Sequence, residues 1–232
     1  MKLYIVGGYV RDEILGIKSN DIDFAVEAES FDIMKQIILS YNYYDIFLEK
    51  EELGTIRAKD RRDNGVYDYT LCRKDGIYSD FRRPDNIEIT DIYGDLSRRD
   101  FTMNAIAIDI DNNNKIIDPF NGIHDIKTKT IRCVGLAENR LIEDPLRFMR
   151  ALRFSVTLNF SIDDSILDVA SNKKFYYSFS KLCKERIYVE LKKMFEHDTI
   201  KSMKLLSSLP DSMLDLIFID GLYMIPTMKK IK

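Results

Sequence analysis

Gly7-Gly8-Tyr9-Val10-Arg11-Asp12, with Asp21-Ile22-Asp23-Phe24-Ala25 a short distance behind it, decides how the first half of this chain is read. Residues 3–6 have the pattern of a strand and residues 8–15 that of a short helix, so the two glycines stand at a strand-to-helix junction. Glycine lets the backbone come close to a ligand there, and the N–H groups opening the helix can meet phosphate oxygens. Arg11 adds a cationic fork to the same place. Residues 21–28 read as a second strand. Side chains two apart in a strand share a face, so Asp21 and Asp23 project together while Ile22 and Phe24 face the core. Paired hard oxygen ligands suit Mg²⁺, which keeps waters and adds substrate phosphates, and two such ions are a common solution for in-line phosphoryl transfer. Alone, a double glycine is usually a turn and an Asp-x-Asp an exposed edge. Together they point to a metal-dependent nucleotide site.

Outward from this stretch the first half continues as α/β. A helix is predicted over 30–41, opening at Ser30, and strands over 53–59, 65–72, 103–110 and 115–118. Turn chemistry separates them at Asp63-Asn64-Gly65, Pro84-Asp85-Asn86 and Asp111-Asn112-Asn113-Asn114. After about residue 137 the helical period takes over, at 143–154, 163–172, 181–197, 199–208 and 210–219. The expectation is an α/β head with a mixed sheet over residues 1–137, followed by an all-α region over 138–232 that ends in a frayed basic tail, Met228 to Lys232.

Composition narrows the class. With 232 residues, 45% of them hydrophobic and 31% charged, the chain can bury one full core and part of a second. No apolar run is long enough for a bilayer of about 30 Å, and the N-terminus lacks the apolar stretch of a secretory signal, so a cytoplasmic location without membrane contact is expected. Cys72, Cys133 and Cys183 are scattered and odd in number, which supports neither disulfides nor a zinc site. The formal charge of −3 implies that an anionic partner is met locally, at Arg61-Arg62, Arg82-Arg83, Arg98-Arg99 or the series Arg147, Arg150, Arg153. His124 and His197 stand in no catalytic context, so the chemistry rests on carboxylates and arginines.

Further blocks follow the glycine and aspartate motif in order: Leu53-Gly54-Thr55, Asp68 to Asp75, Arg98-Arg99-Asp100-Phe101-Thr102-Met103-Asn104-Ala105, Ile117-Asp118-Pro119-Phe120-Asn121-Gly122, and Glu143-Asp144-Pro145-Leu146-Arg147 through Phe154. Over nearly the whole chain this series resembles the class II tRNA nucleotidyltransferases and bacterial poly(A) polymerases of the polymerase-β superfamily. The resemblance implies that Asp21 and Asp23 bind the metals, that Gly8 and Arg11, beside Gly7, hold the triphosphate, and that Arg99 and Asp100 contact the ribose, with Asn104 in the same block. Asp68 stands where relatives usually carry a glutamate; its place as a third carboxylate is left open, because Asp is one methylene shorter. Residues 75–86, with Gly76, Tyr78, Arg82 and Arg83, fall where the family has a flexible loop tied to the switch from CTP to ATP; a plain solvated hairpin is the alternative.

Base choice can be read from the last block. Asp144 and Arg147 are three apart and, on a helix, neighbours on one face, with Arg150 and Arg153 turning progressively away. An ionised Asp only accepts hydrogen bonds and an Arg only donates them. Cytosine and adenine present an amino donor beside a ring-nitrogen acceptor, whereas uracil and guanine present the reverse, so CTP and ATP fit the pair. The resemblance agrees, and adds Arg150 and Arg153 as supports for the nucleotide or its phosphates. The alternative is a salt-bridged amphipathic helix.

The expected function is therefore addition of C, C and A to the 3′ end of tRNA from CTP and ATP with two Mg²⁺ ions, at a cleft between head and helical region. A poly(A) polymerase, a CC-only or A-only enzyme, or a non-catalytic RNA-binding protein stays open. The chain stops at Lys232, where full-length members usually continue into a long body and tail. A short form is thus implied, with tRNA held by fewer contacts or with help from a homodimer or another partner.

Overall fold

The structure is a computed structural model that describes residues 1–81 and 84–219. Arg82, Arg83 and the expected basic tail lie outside the described residues. The chain divides into two compact units, Met1–Ile77 with Pro84–Thr128, and Tyr78–Arg83 with Lys129–Lys232.

In the first unit β1 (Lys2–Val6) runs into α1 (Gly8–Ile14), followed by β2 (Asp23–Glu27), α2 (Phe31–Ser40), β3 (Tyr44–Lys50), β4 (Thr55–Asp60) and β5 (Val66–Leu71). Then come β6 (Arg73–Asp75), β7 (Ile87–Ile89), α3 (Ile92–Ser97), β8 (Ala107–Asp109), β9 (Lys115–Ile117) and α4 (Gly122–Lys127). Seven strands form one mixed sheet in the order β3-β4-β5-β2-β1-β8-β9, and β6 and β7 pair separately as an antiparallel hairpin. The helix at Ser30 begins as predicted: the Ser30 hydroxyl accepts a hydrogen bond from Ile33 N at 3.1 Å, which satisfies one orphan donor of the first turn.

The period of two then fixes where the chemistry stands. Val26, Ile56, Ala58, Tyr69 and Leu71 pack with Phe31, Met34 and Ile38 of α2 in one core, with Phe24 and Tyr67 joining at its edge. Because alternate residues face opposite ways, Asp23, Arg57 and Asp68 are all turned to the other face. Register aligns them: Arg57 is opposite Asp68, Asp68 is opposite Asp23, and Asp23 is opposite Val6.

Several elements differ from the sequence reading. The edge strand β3, the hairpin β6–β7 and the short helices α3 and α4 carry too little periodicity to be read. The segment expected as strand 103–110 is a single tight turn at Thr102–Asn104 followed by only three strand residues. Likewise β2 begins at Asp23 rather than residue 21, so strand alternation does not orient Asp21.

In the second unit β10 (Thr130–Ile131) precedes α5 (Ala137–Glu143) and α6 (Leu146–Leu158), and β11 (Ser161–Ile162) pairs in parallel with β10. The rest is α7 (Asp164–Val169), α8 (Lys173–Phe179), α9 (Lys184–His197), α10 (Thr199–Leu206) and α11 (Asp211–Ile217). Helix α6 closes on Asn159 in the left-handed conformation, φ 59°. The helix expected over 163–172 is the shorter α7, and α8 follows it where no helix was expected, opened by Asn172, whose side chain accepts from Lys174 N at 2.8 Å. Phe148 meets Phe175 edge to face and Phe175 meets Phe179 at a tilt, at 5.5 and 5.6 Å between centroids, and Leu152, Leu191 and Met213 are buried in the same unit. No helix among the described residues is long and apolar enough to cross a membrane.

Ile56 is fully buried between the sheet and α2. Ile56→Ala is expected to lower stability by about 2–5 kcal/mol, whereas Phe47→Ala, on the exposed edge strand, should stay within about 0.5 kcal/mol; urea denaturation of the two variants checks this.

Candidate active site

Asp23 opens β2 with Asp68 beside it on the neighbouring strand. Its carboxyl is raised above the ordinary carboxylate range, first by crowding of surrounding atoms even though its surface stays accessible, then by the like charges of Asp21 and Asp68. Arg99 and Arg57 pull it back down. Asp21 is therefore in the same electrostatic cluster although it precedes the strand. Asp68 is differently placed from the other two: both of its oxygens are taken by a fork from Arg57, Nε to Oδ1 and Nη2 to Oδ2, each at 2.5 Å.

This donor set fits a hard divalent cation. Oxygen ligands are all it offers, and mutual repulsion raises Asp23, a strain that a cation would relieve. Among the described residues no group of three His, Cys, Asp or Glu could hold an ion unaided. Asp21 and Asp23 would thus need waters or phosphates to complete a shell, the form Mg²⁺ prefers.

Next to this cluster is the glycine turn. Gly7 has φ 78°, which an L side chain rarely adopts, and a Cβ there would lie 3.2 Å from Arg99 Nη1 and 3.8 Å from Asp23 Oδ2. The missing side chain lets an arginine and an aspartate meet the backbone at one spot. Arg11 is buried and does not project outward: Nε and Nη2 donate to Asp12 Oδ1 at 2.9 and 2.7 Å, and Nη1 donates to Asn104 Oδ1 at 2.8 Å. Asn104 in turn donates to Asp100 Oδ1 at 3.0 Å, and Arg99 Nη1 donates to the Asn104 carbonyl at 3.4 Å. Gly7, Gly8, Arg11, Arg99, Asp100 and Asn104 are thereby brought together through contacts the sequence could not specify.

What orders them is Asp95, which the sequence reading missed. It is 1% exposed and receives both neighbouring arginines, Arg98 on Oδ1 at 2.9 and 2.6 Å and Arg99 on Oδ2 at 3.2 and 2.9 Å. Burial alone would push this carboxyl up, but the charges of Arg99 and Arg98 and their hydrogen bonds hold it below the ordinary range. Arg98 also reaches Asp75 at 3.4 Å, and Asp75 accepts from Arg73 at 3.0 Å. The available signal was spacing: Asp95 precedes Arg98 and Arg99 by one helical turn, so all three share a face of α3 and its end.

The block from Ile117 to Gly122 is structural. The Asp118 carboxylate accepts from Gly122 N at 2.7 Å and Ile123 N at 2.9 Å, opening α4. A Cβ on Gly122 would stand 2.2 Å from the Thr102 carbonyl, so only glycine allows α4 to rest against the turn that carries Asn104.

In the second unit Asp144 is not on the helix with Arg147. It has φ −134° and ψ 96° between α5 and α6, because the ring of Pro145 excludes the helical region for the residue before it. From there its Oδ1 accepts from Leu146 N at 3.2 Å. Burial raises the Asp144 carboxyl, while the charges of Arg186, Arg147 and Arg150 oppose that rise. Arg147 is itself buried, donating to Glu143 Oε2 at 3.3 Å and the Arg140 carbonyl at 3.4 Å. Arg150 lies 5.4 Å from the Phe154 ring, and Arg153 packs on the same ring at 3.9 Å while donating to the buried Glu190 at 2.5 Å. Arg186 and Glu190, one turn apart on α9, were not singled out in the sequence; a buried Glu one turn from an Arg on an amphipathic helix was the sign.

Comparison with known proteins agrees with these motifs. The model of the Poly A polymerase head domain matches residues 3–132. The CCA-adding enzyme of Latilactobacillus sakei subsp. sakei is 41% identical over 194 residues, 83% of this chain and 46% of the relative. Among solved structures, the Bacillus stearothermophilus CCA-adding enzyme in complex with CTP superposes with a TM-score of 0.75 at 31% identity, covering 89% of this chain and 48% of that one. A tRNA nucleotidyltransferase complexed with a primer tRNA and an incoming ATP analog gives 0.71 at 28% identity, covering 95% of this chain and 60% of that one. The chain thus spans about half the length of the curated relatives it matches. With its mixed sheet, its aspartate row and its arginine block all in the matched region, the chain belongs to the Poly A polymerase head domain family.

Proposed function

We propose that this chain is a template-independent tRNA nucleotidyltransferase that adds C, C and A to a tRNA 3′ end from CTP and ATP, with release of pyrophosphate and with two Mg²⁺ ions, in the cytoplasm. The observation that carries the reading is the crowding of Asp21, Asp23 and Asp68 beside Gly7 and Arg99. Relatives named for CCA addition, and neighbours solved with CTP and with a primer tRNA and an ATP analog, support the choice of substrates.

In this reading residues 1–137 form the catalytic head and 138–232 supply base recognition. Asp21 and Asp23 hold the ions, and Asp21 is the acceptor for the proton leaving the tRNA 3′ hydroxyl. Bound Mg²⁺ would supply charge neutralisation for the attacking oxygen and for the departing pyrophosphate. Gly7 and Gly8 give the triphosphate access to backbone N–H groups, and Arg11 and Arg99 add positive charge there. Arg99 and Asp100 meet the ribose, with Asn104 beside them. Asp68, neutralised by Arg57, limits the negative charge of the cluster unless Arg57 gives it up to a cation. Asp144 accepts from the base amino group and Arg147 donates to the ring nitrogen, with Arg150 and Arg153 buttressing the helix that carries Arg147.

Incubating the chain with Mg²⁺ and tRNA ending at its discriminator base, with each nucleoside triphosphate alone and then together, followed by end sequencing, tests this. C, C and then A are expected; long A runs, CC alone, A alone or no extension would each overturn the assignment. Asp21→Ala and Asp23→Ala should each lower extension by about a hundredfold or more while leaving the thermal transition nearly unchanged, since both are exposed. Asp95→Asn, which leaves two arginines around a buried neutral group, should cost about 3 kcal/mol of stability by urea denaturation and weaken triphosphate binding through a misplaced Arg99.

A further inference from the structure

Helix α9 carries two charged residues that the proposed reaction has not used, and each is matched to a residue of the base-reading segment. Glu190, 6% exposed, receives Arg153, and Arg186 stands 3.6 Å from Asp144 Oδ2. We propose that Arg186 is a specificity-determining positioning residue: its guanidinium fixes the Asp144 carboxylate in place and keeps it purely an acceptor, which is what makes the site prefer cytosine and adenine. The inference rests on the base-reading role assigned to Asp144 above.

Asp144 stands in the extended link between α5 and α6. Pro145 keeps it off the helix, so no helical geometry aims its side chain. One oxygen accepts from Leu146 N, and the other faces Arg186. Both side chains are mostly buried, 16% exposed for Asp144 and 22% for Arg186, so their attraction is little screened. The groups facing Asp144 are Arg147 and Arg150 on α6 and Arg186 on α9, with Glu143 at the end of α5 engaged by Arg140 and Arg147. Of the three cations, Arg186 opposes the effect of burial most.

Protonation would alter what Asp144 reads. A protonated carboxyl gains an O–H donor, which can meet the uracil 4-oxo group where the ionised form meets only the cytosine amino group. Arg147 would still face the wrong partner on uracil, so half of the mismatch is relieved. With its carboxyl already raised, Asp144 loses its acceptor-only character as pH falls, and loss of Arg186 moves that change to higher pH.

Equilibrium binding of CTP and of UTP to the full chain with Mg²⁺, from about the ordinary carboxylate value near pH 4 up to about pH 8, reads this directly. In Arg186→Met the pH at which preference for CTP is half lost should rise by about one unit or more relative to the unchanged chain. Arg186→Lys should restore most of it, and Arg186→Gln is measured alongside so that the comparison does not depend on the folding of one variant. An equal weakening of both nucleotides with the midpoint unmoved would be the mark of a merely structural role and overturns the inference. Asp144→Asn separates the two levels: it should cut the preference to the part that Arg147 supplies and make that remainder independent of pH, and if the full preference or its pH dependence survives there, the base-reading role of Asp144 fails rather than the role of Arg186 alone.

Discussion

Three crowded carboxylates, Asp23 and Asp68 side by side on the sheet and Asp21 just ahead of the strand, repel each other, and much of the first unit is arranged around containing that repulsion. The register of β5 between β4 and β2 sets Asp68 between Arg57 and Asp23, because a slip of one residue in β5 would turn Asp68 into the core. Arg57 answers the charge from the neighbouring strand, and Arg99 does so from just past the end of α3, beside the glycine turn. Arg99 can do so only because Asp95, buried beneath it, orients its guanidinium; Arg98 and Asp75 continue the network to the base of the β6–β7 hairpin. A site of this kind tolerates its own instability when the surrounding ion pairs are satisfied and buried.

The parts of the fold that were legible in the sequence are those with a strong period or a cap. Strand β1, helix α1, the Ser30 cap and helices α6, α9 and α10 follow their patterns to within a few residues. Illegible parts fall into two kinds. Strand β3 is an edge with mostly exposed positions, so no alternation of apolar and polar residues marks it, and the hairpin β6–β7 is held by pairing between residues distant in sequence. At the site, residue types and spacing identified which side chains matter, yet they could not show that Arg11 is spent on Asp12 and Asn104, or that Asp68 is clasped by Arg57. Those are tertiary facts, set by sheet register and by the turn at Thr102–Asn104.

The second unit shows the same economy in helical form. Helix α9 runs along α6 and offers it charges of both signs one turn apart, so that Arg153 and Asp144 are each answered from outside their own segment. Arg147 is answered locally by Glu143, which also holds Arg140. The series Arg147, Arg150, Arg153 reads as one cationic stripe in sequence but divides in space among a carboxylate, an aromatic ring and a buried glutamate.

The bend at Asp144 follows from a single ring. Without the pyrrolidine of Pro145, α5 and α6 could join into one rod, and each residue of such a rod advances the side-chain direction by about 100°. Asp144 would then be swept onto a cylinder whose orientation answers to α5 and α6 together, and would lose its independence from both. Placing the acid in an extended link instead leaves its direction to be set by whatever surrounds it, so selectivity in this fold can be altered by neighbours without rebuilding the helix that bears Arg147.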